Sequence, residues 1–202
     1  ALCFDDTLKR KSQEFTRVEK VVPDNKFTFV CFNNNYKISP EEFDIWMNLL
    51  KRVEDSCLWL KASNEFAKNN LIKEAFKRGI SDKRLIFAEY TDFENHLKRH
   101  SEADLFLDTS NYNAHTTAID AVNGCLPILT LLGNSFPSRV AGSILTSLNL
   151  ETLVTFSQEE YIKKGIFFGK SKKEIDKLKN ILKNKKISNQ LLNTQRYIKN
   201  FE

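Results

Sequence analysis

Asn111-Tyr112-Asn113-Ala114-His115-Thr116-Thr117-Ala118-Ile119-Asp120 lies between two apolar runs, and its reading decides the fold. Before it, Leu105-Phe106-Leu107 is closed by Asp108-Thr109-Ser110. After it, residues 121–125 lead into Leu126-Pro127-Ile128-Leu129-Thr130-Leu131-Leu132. That order reads as strand, polar loop, short helix, strand. In an open α/β sheet, ligands sit at the loops that follow the carboxyl ends of the strands. A helix starting at His115 or Thr116 aims unbonded backbone N–H groups and its positive dipole end at such a loop. The Thr116 and Thr117 hydroxyls add donors for phosphate oxygens, and Asp120, one turn on, is placed to accept from a sugar hydroxyl. Thr116 and Thr117 also suit ordinary helix capping, and the segment alone does not choose between the two readings.

The same alternation extends outward in both directions. Phe27-Thr28-Phe29-Val30-Cys31-Phe32 is β-branched and aromatic, a buried strand, and Asn33-Asn34-Asn35 after it suits a turn. Ser39-Pro40-Glu41-Glu42 opens a helix, with Ser39 as N-cap, Pro40 in the first helical position and Glu42 completing a capping box. Phe43, Trp46, Met47, Leu50 and Val53 recur at helical spacing as its buried stripe. Leu58-Trp59-Leu60 is a strand, 64–78 a helix stopped at Gly79, and 84–88 a strand. Thr91-Asp92-Phe93-Glu94 reads as a second capping box, with Thr91 as cap, opening a helix that carries His96. Beyond the strand from Leu126, residues 136–140 lead into a helix through about Leu148, 153–156 is an edge strand, and 157–169 and 171–184 are helical. Strands alternating with helices of this length predict an α/β fold: a Rossmann-like parallel sheet of five or six strands flanked by helices. The expected organisation is a loosely attached lead-in at 1–26, one domain at 27–184 and a Lys-rich arm at 185–202.

Composition narrows the function classes. Of 202 residues, 41% are hydrophobic and 28% charged, which are globular values. No apolar run approaches the ~20 residues of a membrane span, and no signal peptide opens the chain. The net charge of +5 is spread out and weighted to the last third, so it reads as a mixed, solvated surface without nucleic acid as a partner. Cys3, Cys31, Cys57 and Cys125 show no metal or disulfide spacing and read as small buried residues of a cytoplasmic protein. There is no Gly-x-Gly-x-x-Gly, Walker loop or Gly-x-Ser-x-Gly elbow, and no metal-ligand spacing. Ala rather than Met stands first, which suggests a fragment or a processed chain.

In a doubly wound sheet, the loops at 33–37, 90–96 and 109–117 all fall on one edge. Lys37 is then in reach of a diphosphate, His96 of a base, and His115 of a phosphate or sugar hydroxyl. Arg139 faces the same cleft or forms a structural ion pair. Each residue alone is equally a surface side chain; convergence on one edge favours a site.

Several of these residues match a known family. Phe32-Asn33-Asn34-Asn35-Tyr36-Lys37-Ile38, Ala103-Asp104-Leu105-Phe106-Leu107-Asp108-Thr109, Tyr112 through Asp120, and Ser138-Arg139-Val140-Ala141 with Ser143 resemble the carboxyl-terminal catalytic lobe of the O-GlcNAc transferase/SPINDLY family. The bacterial members with tetratricopeptide repeats look most similar. The resemblance implies the C-terminal half of a GT-B glycosyltransferase, with two Rossmann-like domains facing across a cleft. It implies that Lys37, Thr116 and Thr117 hold the diphosphate and that His96 packs on the uracil with Arg99 nearby; the backbone of the Tyr90–Thr91 loop is then placed to read the base edge. It further implies that Asp120 holds the ribose, that His115 lies near diphosphate and sugar, and that Asn34 replaces a phosphate-side glutamine of the animal enzymes. Lys37 and His115 are the pair expected to act in catalysis.

The sequence departs from the family at Phe93, where the animal enzymes carry a ribose-contacting lysine, and at Asn123-Gly124-Cys125, which replaces a common Trp-Ala-Gly run. The implied activity is inverting transfer from UDP-GlcNAc to a protein Ser or Thr, with no metal and no cofactor. The implied partners are a nucleotide sugar, a protein acceptor, and an upstream catalytic domain with tetratricopeptide repeats. Without that domain the chain is expected to transfer no sugar by itself. Two other readings stay open at this point. One is another GT-B nucleotide-sugar enzyme, such as an epimerase or an O-fucosyltransferase. The other is a non-catalytic nucleotide-sugar-binding module.

Overall fold

The computed structural model describes residues 21–23, 25–184 and 198–200. Most of the expected lead-in and arm lies outside the described residues, as does Cys3. Six strands are present: β1 (Phe27–Cys31), β2 (Ser56–Lys61), β3 (Leu85–Ala88), β4 (Leu105–Leu107), β5 (Ile128–Leu131) and β6 (Val154–Thr155). All their pairings are parallel, in the order β3-β2-β1-β4-β5-β6. Val30 of β1 stands opposite Trp59 on one side and Phe106 on the other. These central strands are covered on both faces, which is why they read as unbroken apolar runs and not as an alternating pattern. The chain steps from β1 outward to β3, then returns to the far side of β1 with β4. The connections therefore diverge between β1 and β4, and a crevice opens there at the carboxyl edge.

The helices are α1 (Pro40–Arg52), α2 (Glu65–Lys77), α3 (Phe93–His100), α4 (Thr116–Asn123), α5 (Val140–Ser147), α6 (Gln158–Lys170) and α7 (Lys172–Lys183). α1, α6 and α7 pack in one layer, and α3, α4 and α5 in the other. The α1 stripe is wider than expected, since Ile45 and Leu49 join Phe43, Trp46, Met47, Leu50 and Val53 in the core. Its contact with α6 is close because Gly165 faces Leu49, where a Cβ would lie 2.8 Å from Leu49 Cδ2. Val22 is also buried, so the end of the expected lead-in belongs to the core.

Local expectations shift in four places. Asp92, not Thr91, caps α3: its Oδ1 accepts from the Asn95 amide at 2.8 Å and its Oδ2 from Asn95 Nδ2 at 2.7 Å. A carboxylate one residue further on wins the cap by adding charge at the helix's positive end. Ser39 does cap α1, accepting from the Glu42 amide, but the Glu42 carboxylate turns inward to Ser110 and does not complete a box. β3 begins at Leu85 because Arg84 closes the 3-10 turn Asp82–Arg84, while its guanidinium binds the carbonyls of Leu50, Val53 and Ser56. Cys31 and Cys57 are buried as expected, but Cys125 is half-buried, at a left-handed φ of 57° just after α4.

Candidate functional site

The crevice is built on Asp108, which follows β4 and is fully buried. Its Oδ1 accepts from the amides of Thr109 (2.9 Å) and Ala114 (2.6 Å), and its Oδ2 from the Thr130 hydroxyl (2.7 Å). From the end of β1, the Asn33 side-chain amide reaches Asp108 Oδ1 at 3.3 Å and the Thr109 hydroxyl at 2.8 Å. One carboxylate thus closes the loop from Thr109 to Ala114 and ties it to both strands of the switch point. Burial pushes the Asp108 pKa up to about 7, against the lowering effect of the Ala114, Thr130 and Asn33 bonds. The buried Glu42 carboxylate holds the same loop from α1, accepting from the Ser110 amide and hydroxyl, both at 2.7 Å. Burial raises its pKa as well.

The rest of the loop is equally fixed. The Thr109 hydroxyl donates to the Tyr112 carbonyl at 2.6 Å, and the Asn113 amide donates to the Pro137 carbonyl at 2.8 Å. Lys37 lies in the 3-10 turn Asn35–Lys37 after β1. Its Nζ donates to the Asn113 carbonyl at 3.1 Å and sits 4.0 Å from the centre of the Tyr112 ring. That ring stacks on the His115 imidazole, with centroids 4.9 Å apart and an interplanar angle of 24°. Lys37 and His115, 78 positions apart in sequence, are therefore brought together through Tyr112. Burial lowers the Lys37 pKa from its ordinary value.

His115 is the N-cap of α4 and makes no side-chain cap bond. The first helical bonds run from the Ala118 and Ile119 amides to the His115 carbonyl. The Thr116 and Thr117 amides have no backbone acceptor among the described residues, and Lys37 is bonded to the Asn113 carbonyl, which precedes them in the chain. An ammonium beside the N-terminus of a helix is an arrangement able to hold an anion.

Asp120 lies one turn along α4 from Thr116, where it meets His96 of α3. His96 Nε2 is 3.9 Å from Asp120 Oδ2, too far for a hydrogen bond. Burial, with the Arg99 and Lys61 charges adding to it, lowers the His96 pKa to about 4, so the pair is not an ion pair at neutral pH. Burial raises Asp120 to about 6. Arg99 donates to the Glu89 carbonyl at 3.1 Å, and its guanidinium lies 5.6 Å from the Phe32 ring centre. His96 packs on a fully buried His100 at 4.8 Å. The His100 Nδ1 lies 2.7 Å from the His96 carbonyl, which can only accept, so the proton is on Nδ1. The Gly124 departure is explained here: a Cβ on Gly124 would fall 2.4 Å from the His100 Cβ. Asn34 is occupied by Lys61 Nζ, which donates to its Oδ1 at 3.1 Å. Thr91 is half-buried beside the α3 cap, and its side chain bonds to no other described residue. Arg139 forms no ion pair among the described residues and donates to the Gly133 carbonyl at 2.8 Å. Phe93, 47% exposed, opens α3.

Sequence reading gave Tyr112, Asp108, Glu42 and Lys61 no role in the site. Asp108 carried a signal, an acid ending an apolar run. Lys61 carried none.

The sequence model of glycosyl transferase family 41 matches residues 6–201. This chain belongs to glycosyl transferase family 41. It is 31% identical to the probable UDP-N-acetylglucosamine–peptide N-acetylglucosaminyltransferase SEC of Arabidopsis thaliana, over 98% of this chain and 21% of that protein. It is 33% identical to the Caenorhabditis elegans UDP-N-acetylglucosamine–peptide N-acetylglucosaminyltransferase, over 76% of this chain and 13% of that one. The solved structure of a Thermobaculum terrenum O-GlcNAc transferase mutant superimposes with a TM-score of 0.82 at 26% identity, covering 88% of this chain and 35% of that chain. The family 41 chain described here thus spans about a fifth of the length of its Arabidopsis relative. Its sheet is the carboxyl-terminal, Rossmann-like half of a GT-B glycosyltransferase fold. Among its described residues, no helix is long and apolar enough to cross a membrane.

Proposed function

We propose that this family 41 chain is the nucleotide-sugar-binding half of a cytoplasmic protein O-glycosyltransferase. It uses UDP-GlcNAc and acts with an upstream catalytic domain and tetratricopeptide repeats. The observation that carries the reading is the Lys37 ammonium bonded to the Asn113 carbonyl, two residues before the N-cap of α4, at the β1–β4 switch point. The names of the Arabidopsis and C. elegans relatives, which specify transfer from UDP-N-acetylglucosamine to peptide, support the donor.

In this reading, an acceptor Ser or Thr oxygen attacks the anomeric carbon from the face opposite the diphosphate. The bond from that carbon to the phosphate oxygen breaks, and its electron pair leaves on the diphosphate. The hydroxyl proton passes to a base on the other catalytic domain. Lys37 and the Thr116 and Thr117 amides and hydroxyls face the growing negative charge, which they stabilise more in the transition state than in the ground state. His115, at the same helix end, borders the diphosphate and sugar. These groups supply the positive field, so the reading needs no metal. Asp120 accepts from the ribose and His96 offers its ring face to the uracil, with Arg99, Asn34 and the Thr91 backbone around them. His96 is suited to stacking because burial keeps it neutral.

The test is nucleotide preference. UDP should bind the full-length protein more tightly than GDP, and His96→Ala should weaken UDP by roughly 1–2 kcal/mol, as loss of a base–aromatic stack does. Calorimetry of both nucleotides decides it: equal or tighter GDP binding by the wild type contradicts the uridine assignment.

A further inference from the structure

The Tyr112 side chain is 44% exposed, yet its backbone is pinned on both sides by the Thr109–Tyr112 and Asn113–Pro137 bonds. A large ring held this way at the mouth of the crevice is neither core nor free surface. It touches the two residues expected to act in catalysis, Lys37 at 4.0 Å and His115 at 4.9 Å. A lysine ammonium has three N–H donors and a flexible stem, so by itself it is a poorly aimed charge. Here the Asn113 carbonyl takes one donor at 3.1 Å and the Tyr112 ring face attracts the charge. Two of its three N–H donors remain beyond that bond. No carboxylate pairs with Lys37 among the described residues, so the charge is held without being neutralised.

We infer that Tyr112 is a positioning residue: its ring aims the Lys37 ammonium and braces the His115 imidazole for a diphosphate. This rests on the proposed nucleotide-diphosphate reading of the crevice. The device uses the quadrupole of the ring and not the phenol oxygen, so phenylalanine should replace tyrosine and an aliphatic side chain should not. It also acts only on the phosphate that Lys37 reaches, so it should separate a diphosphate from a monophosphate.

The experiment is calorimetric titration of the full-length protein with UDP and with UMP, for the wild type, Tyr112→Phe and Tyr112→Leu. The wild type should prefer UDP, and Tyr112→Phe should keep that ratio within about twofold. Tyr112→Leu should cut it by about fivefold to tenfold, the size of one partly desolvated cation–π contact, with UMP affinity unchanged. A merely structural role would lower both affinities together, so a matching loss of UMP binding in Tyr112→Leu overturns the inference. So does a Tyr112→Leu protein with the wild-type ratio, or a Tyr112→Phe protein that loses as much as the leucine variant. A wild type that binds UDP no better than UMP refutes the diphosphate reading itself, and the inference with it.

Discussion

Replacing Lys37 by alanine in the full-length protein should slow sugar transfer by about ten- to a hundredfold while weakening UDP-GlcNAc much less. The substitution removes one charge-assisted contact, worth about 1.5–3 kcal/mol. The split follows from where charge develops. Both phosphates are already ionised in the bound donor, but the leaving oxygen gains its charge only as the anomeric bond breaks. Lys37 is held by Asn113 and Tyr112 before the donor arrives, so little reorganisation is needed at that moment. Steady-state kinetics with a peptide acceptor measures the split directly. Unchanged turnover together with unchanged UDP-GlcNAc affinity removes Lys37 from the site.

Asp108→Ala should destabilise the domain by about 3–5 kcal/mol at pH 4, because it breaks a buried hydrogen-bond network and leaves several donors without an acceptor. The Thr109 and Ala114 amides, the Thr130 hydroxyl and the Asn33 amide would lose a common buried acceptor, and each costs about 1–3 kcal/mol unpaired, though not additively. Against a total stability of about 5–15 kcal/mol this is a large fraction. The pH dependence has a definite sign. The folded pKa of Asp108, about 7, lies above the unfolded value of about 3.9. The folded state therefore holds the proton more tightly, and this contribution is fully present below about pH 4 and is lost as pH rises through 7. Asp108→Ala lacks that slope, so the gap between variant and wild type should narrow from pH 4 to pH 7. Urea unfolding across that range checks both points. A loss under about 1 kcal/mol at pH 4, or a gap that widens with pH, contradicts the account.

The elements legible in the sequence were those with a local signature. The apolar runs at β1 and β4 and the 3.6-residue stripe of α1 declare themselves within a few residues, and the strand–helix alternation then implies a single functional edge. What stayed hidden depends on distance along the chain. Glu42 fits a capping-box position by spacing, and only the fold shows that Ser110, 68 residues away, claims its carboxylate. Asn33 and Asp108 meet across 75 residues, and no local pattern announces it. Thr91 and Asp92 are both cap-forming types side by side, so spacing cannot rank them, whereas the extra bond from Asn95 does. Tyr112 lay within the decisive stretch but looked like a loop aromatic until Lys37 and His115 were seen on its ring.

The most direct test of the central claim, that the β1–β4 crevice holds a nucleoside diphosphate, is a UDP titration of this chain followed by amide-resolved NMR. The account predicts that the largest shifts fall on Thr116, Thr117 and Lys37, with smaller ones at His96 and Asp120. A second opening lies on the same edge, a cavity of about 530 Å³ bordered by Gly133, Asn134, Ser135, Phe156 and Gln158. Shifts centred on that cavity, with Thr116 and Thr117 unmoved at saturating UDP, would contradict it.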